Sequence, residues 1–168
     1  PDASEEEAMG KLWDAIFTSV RISGDGDAVA RWREHTALLR SRVDKLNELH
    51  FESLYYENSL GTRLNIRLPE KHVWSGGSNL CRAGFPFVAN MPTEEVFTAP
   101  LRDGIDGVVY AALPLVHNGN IIENFHFVIK DGRIVDVHAE KGEDILKAAI
   151  AEDEGASYFG EVALVPYD

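Results

Sequence analysis

The stretch 121–139, IIENFHFVIKDGRIVDVHA, decides the fold. Residues 121–130 form a long apolar-rich run with Phe125, Phe127 and Ile129 on one face at period two. Such alternation marks a strand with one face buried. Asp131-Gly132 is a two-residue turn of the kind that needs positive φ at both positions. The run 133–139 then returns as the partner strand, with Val135, Val137 and Ala139 alternating against Ile134, Asp136 and His138. An antiparallel hairpin of this length implies a sheet that packs one side and wets the other. His126 and His138 fall on its more polar faces, where structural roles are the ordinary case.

Outward from the hairpin, residues 143–151 have the spacing of a short helix (Ile145, Leu146, Ala149, Ile150), closed by the acidic turn at 152–155. Upstream, 108–113 is a short apolar strand stopped by Pro114. Residues 54–56 and Leu64, Ile66 and Leu68 predict two more strands joined around Gly61 and ended by Pro69. The segment 74–79, WSGGSN, is expected to be a flexible loop. Its Gly76-Gly77 lacks the flanking pattern of a phosphate-binding motif.

The front of the chain is helical. Met9, Leu12, Trp13, Ile16, Phe17 and Val20 recur at three- and four-residue spacing behind Ser4, and Ser4 with Glu7 has the form of a capping box. Residues 23–27, SGDGD, predict a turn; the later ligands of a calcium loop are missing. A long helix is expected from about Ala28 to Leu49, with Trp32, Leu39, Val43, Leu46 and Leu49 as its apolar stripe. His35 and His50 lie near it without an HExxH pattern and are placed at the surface or boundary. The fold class is therefore α+β: N-terminal helices packed on a mostly antiparallel sheet, with a later helix.

The 168 residues suit a single domain with a real core. The net charge of −12, from 16 basic and 28 acidic residues, argues against nucleic acid or an anionic membrane as partner. One cysteine, Cys81, rules out an intrachain disulfide and a cysteine-based zinc site, and suits a reducing, cytoplasmic setting. No apolar run approaches 18 residues.

Two acidic placements stand out. In 90–100, NMPTEEVFTAP, Pro92 and Pro100 bracket the adjacent Glu94 and Glu95. Pro-Thr-Glu-Glu could open a helix, its acids favoured by the helix dipole, but Val96-Phe97-Thr98-Ala99-Pro100 leaves little room for turns and favours extended chain. In extended chain the two side chains face opposite ways, and an inward carboxylate must be paired, protonated or bound to a metal. In 158–166, YFGEVALVP, the lone acid Glu161 opens an apolar run. Taken alone it is a strand-end carboxylate in water.

Together, PTEEVFTAP and GEVALVP resemble the signature segments of the thermophilic aminopeptidase family, the aminopeptidase T and aminopeptidase S type of two-metal exopeptidases. Supporting pieces match in order: LGTRL at 60–64, WSGG at 74–77, Asp106-Gly107, KDGR at 130–133 and DEGA at 153–156. The resemblance implies release of N-terminal residues from peptides by two divalent ions (zinc, cobalt or magnesium), with Glu95 as a metal ligand and Glu161 as the carboxylate the two metals share. Glu94 is the fallback if the register slips by one. The resemblance also implies a homodimer. The family's two histidines, tyrosine and aspartate follow the GEVALVP motif, where this chain stops, and no βαβ pattern precedes the first helix. Residues 1–168 are thus expected to be part of the catalytic domain of a longer metallo-aminopeptidase, a fragment that is metal-free or weakly occupied and inactive alone. Two other classes compete. One is a non-catalytic protein-interaction domain. The other is a glycosidase-like pair of Glu95 and Glu161, for which no aromatic sugar platform is evident.

Overall fold

The computed structural model describes residues 4–22, 24 and 26–166. Its elements in chain order are α1 (Glu5–Ser19), α2 (Ala28–Leu49), β1 (Ser53–Glu57), β2 (Arg63–Arg67), β3 (Ser75–Gly76), β4 (Asn79–Leu80), β5 (Pro86–Phe87), β6 (Val96–Thr98), β7 (Ile105–Tyr110), β8 (Leu115–His117), β9 (Asn120–Lys130), β10 (Arg133–Lys141), α3 (Glu143–Ile150) and β11 (Val162–Leu164). The seven strand pairs whose register is described are antiparallel, and the α+β class stands. The chain forms two compact units, one of Pro1–Glu48, Trp74–Phe97 and Ala163–Asp168, the other of Leu49–Val73 and Thr98–Val162.

In the first unit, α1 starts as the sequence predicts. Ser4 accepts from the Glu7 amide, and the Glu7 carboxylate accepts from the Ser4 amide, closing the capping box. Its apolar face is nevertheless exposed: Met9, Leu12, Trp13, Ile16 and Phe17 all lie on the surface. The expected turn at 23–27 falls partly outside the described residues, at Ser23 and Asp25. Asp27 caps α2, its carboxylate accepting from the Val29 and Ala30 amides at 2.9 and 3.2 Å. The long helix has the predicted bounds. It buries His35, Leu39 and Val43, one face at four-residue spacing. Leu49 stays on the surface.

The segment after α2's partner, Trp74, is not the flexible loop expected of it. Trp74 is 1% exposed. Asn47 grips its backbone from both sides, donating to the carbonyl at 3.1 Å and accepting from the amide at 2.8 Å. Gly76 and Gly77 serve close approach instead. A Cβ on Gly76 would stand 2.7 Å from the Glu95 carbonyl oxygen, and one on Gly77 3.1 Å from Leu39 Cβ. With the glycines in place, Ser75 and Gly76 pair with Phe97 and Val96, in a small sheet ordered β11-β6-β3.

The second unit is built on a six-stranded sheet, ordered β1-β2-β7-β9-β10, with β8 also paired to β9. The hairpin turn is as predicted, with Asp131 and Gly132 at φ 48° and 78°. The faces of β10 are not. Ile134 pairs with Ile129 but Asp136 with Val128, so Val135 is an extra, unpaired residue. A bulge of one residue moves the side chains beyond it to the other face. Ile134 therefore packs with Val137 and Ala139 on the core side, and Val135 is 57% exposed. Ile122, Val137, Ala139 and Leu146 of α3 form the buried cluster, with Phe125, Phe127, Ile145 and Ile150 against it. Strand β7 begins three residues before the expected 108, because Asp106-Gly107 reads as a break. In the sheet Gly107 lies between Leu64 and Ile129, where a Cβ would fall 2.0 Å from the Arg63 carbonyl oxygen.

Candidate functional site

The 92–98 segment is not helical: Pro92 lies in a bend, and Thr93, Glu94 and Glu95 lead directly into strand β6. The two glutamates are handled differently. Glu94 does not point into solvent as the alternation argument allowed. Its carboxylate takes a bidentate pair of bonds from Arg21, at 2.6 and 2.8 Å, and lies 3.5 Å from His35 Nε2. A two-pronged guanidinium–carboxylate contact is among the stronger ion pairs because both donors fit the fork. Arg21 accordingly holds the Glu94 carboxyl below its ordinary range, with His35 and Arg42 adding to the effect.

The rest of this network is local. Arg21 sits at φ 60° just after α1 and lies 5.5 Å above the Trp32 ring. Its carbonyl accepts from Arg31 Nε at 2.9 Å, and the Val20 carbonyl accepts from the Trp32 indole at 2.8 Å. His35 was expected at the surface. It is 8% exposed, with Nε2 donating to the Thr93 carbonyl at 2.6 Å. A buried polar ring needs such a partner, and no local pattern around His35 announces one.

Glu95, by contrast, is half-buried, and its side chain makes no hydrogen bond or ion pair among the described residues. Glu161 is exposed, stands immediately before β11 and likewise has no partner among them. Glu95, in the first unit, immediately precedes β6, and Glu161, in the second, immediately precedes β11. Unpartnered carboxylate oxygens are the donor type that hard divalent cations take, so both residues fit the role of metal ligand. They do not make a full donor set. No group of three or more histidine, cysteine, aspartate or glutamate side chains is placed to hold a metal among the described residues.

Other polar clusters are accounted for within their own units. His126 stacks on Tyr110 at 4.5 Å, and His138 Nδ1 lies 3.0 Å from Glu143. Glu143 also bonds Lys147 and accepts from the Ala139 amide, which together push its carboxyl down to about 2. A hollow of about 410 Å³ in the first unit is lined by Arg42, Lys45, Leu46, Val96, Leu164 and Pro166, with neither candidate acid in its wall. No described helix is long and apolar enough to cross a membrane.

The geometry defines an α+β chain in which the Glu95 and Glu161 side chains are unpartnered among the described residues. The comparison with known proteins makes the class particular. The chain belongs to the thermophilic metalloprotease (M29) family, whose model matches residues 1–168. It is 54% identical to aminopeptidase AmpS of Bacillus subtilis (strain 168) over 168 residues, which is all of this chain and 40% of that protein. It is 44% identical to aminopeptidase T of Thermus aquaticus, again over its whole length and 41% of the relative. The solved structure of wild-type AmpT from Thermus thermophilus superposes with a TM-score of 0.89 at 42% identity, covering 99% of this chain and 40% of that one. The chain therefore spans about 40% of the length of the relatives it matches.

Proposed function

We propose that residues 1–168 are part of the catalytic domain of a longer metallo-aminopeptidase that releases N-terminal residues from peptides. Support comes from a family match that runs through both acidic segments, with Glu95 left unpartnered while its neighbour Glu94 is engaged. Membership of a metalloprotease family carries dependence on divalent metal. The finer assignment is two ions, zinc, cobalt or magnesium, with Glu95 as a ligand of one and Glu161 shared by both. Bound in such a pair, the ions would polarise the scissile carbonyl and lower the pKa of the attacking water. Glu95 and Glu161 supply negative charge and hold position. Glu94, committed to Arg21, is the poorer ligand. The single cysteine suits a cytoplasmic enzyme.

Two carboxylates give too few ligands for a two-metal site. The isolated 168-residue chain should be metal-free or weakly occupied and inactive. The test is hydrolysis of an aminoacyl-p-nitroanilide with added cobalt or zinc, by the isolated chain and by the full-length polypeptide. Turnover by the longer chain alone is expected, and Glu95→Ala or Glu161→Ala should abolish it. Rates at the metal blank for the longer chain would overturn the assignment. The exposed apolar face of α1 favours a second reading for the isolated chain, a protein-interaction module. It is also a surface for the homodimer we propose, which sedimentation velocity would detect.

A further inference from the structure

We infer that Arg21, His35 and Glu94 form a positioning device for Glu95, fixing the backbone on one side of it while the β3–β6 pairing fixes the other. This rests on the assignment of Glu95 as a metal ligand. The geometry is specific. Thr93 is held through its carbonyl by His35, Glu94 through its carboxylate by Arg21, and Val96 by pairing with Gly76. Between these held neighbours, the Glu95 side chain makes no hydrogen bond or ion pair among the described residues. The clamp is itself braced, since Arg21 lies over Trp32 and its carbonyl is tied to Arg31. His35 is on the buried face of α2, so the acid segment is registered against the longest helix of the unit.

The arrangement has a chemical consequence. A ligand set works when its side chains are held close to the productive geometry by groups that do not themselves touch the metal. Two adjacent glutamates on one segment could also compete for the same cation. Committing Glu94 to a guanidinium removes that competition and leaves one carboxylate presented. Arg21, His35 and Glu94 are positioning residues and touch neither metal nor substrate in this account.

The test uses the full-length polypeptide and cobalt(II) as probe, reading affinity by calorimetry and ligand geometry by the visible d–d absorption bands. Arg21→Ala and the near-isosteric Glu94→Gln should each raise the cobalt dissociation constant on the order of tenfold, and change the band pattern, with far-UV circular dichroism unchanged. The double variant should be close to the weaker of the two single ones, well short of their summed effect, because the Arg21–Glu94 pair is disrupted in all three. Arg21→Lys, which keeps the charge without the fork, should recover part of the affinity. Wild-type affinity and spectrum in both Arg21→Ala and Glu94→Gln, alongside lost binding in Glu95→Ala, would overturn the positioning role alone. Unaltered binding in Glu95→Ala would overturn the ligand assignment and the positioning role with it.

Discussion

Two asparagine- or aspartate-glycine turns in the second unit share one backbone conformation and differ in surroundings. Asn118-Gly119 has φ 49° and 77°, and Asp131-Gly132 has 48° and 78°. Around Gly119 a Cβ would meet nothing within 4 Å, whereas at Gly132 it would fall 1.7 Å from the Arg102 carbonyl oxygen and 2.8 Å from Asp103 Cα. Alanine at either site carries the left-handed backbone cost, about 1 kcal/mol. At Gly132 the neighbouring backbone must also move, which adds about 1–3 kcal/mol. That movement strains the bond from the Gly132 amide to the Ile105 carbonyl, 2.8 Å long, worth about 1 kcal/mol more. Gly132→Ala should therefore be destabilised by at least about 2 kcal/mol more than Gly119→Ala. In thermal unfolding the gap corresponds to roughly 6 °C for a chain of this size. Urea unfolding of the two variants side by side measures it directly. Equal destabilisation within about 0.5 kcal/mol would refute the packing account of this turn, since the two sites share their φ values and differ in the backbone packed against them.

Two further outcomes follow from local contacts. Asp27→Ala removes the carboxylate that caps α2 and should lower stability by about 1 kcal/mol in denaturant titration, while Asp27→Asn should recover most of it. Glu143 is held down to about 2, first by Lys147 and then by the Ala139 amide, from an ordinary 4.5. A carboxyl depressed in the folded state stabilises it fully above the unfolded value, and the contribution fades as pH falls through the folded one. The stability advantage of wild type over Glu143→Gln should thus be constant above about pH 4.5 and shrink toward pH 2, as followed by urea unfolding across that window. An advantage that does not change with pH would contradict the assigned shift.

Periodic features were legible in the sequence. The bounds of α2 follow from an unbroken apolar stripe, and the Asp131-Gly132 turn from a dipeptide that few conformations suit. What was not legible depends on partners distant in the chain. His35 looks like a surface residue on a helical wheel until Thr93 and Glu94, 58 and 59 positions later, supply its contacts. The bulge at Val135 has no composition of its own; it only shows when β10 is laid against β9. The glycines at 76, 77 and 107 read as breaks because the same residue serves turns and close backbone approach alike. The acidic pair Glu94-Glu95 was recognisable as unusual. Which glutamate is engaged was decided by Arg21, a residue 73 positions away that no local pattern links to it.

We propose that Glu95 and Glu161 bind metal while Glu94 serves as an anchor. Metal content by plasma mass spectrometry, after dialysis of the full-length polypeptide against a fixed free zinc concentration, measures it most directly. Wild type should retain two equivalents, and Glu95→Ala and Glu161→Ala should each lose at least one. Two equivalents retained in both variants would contradict the account.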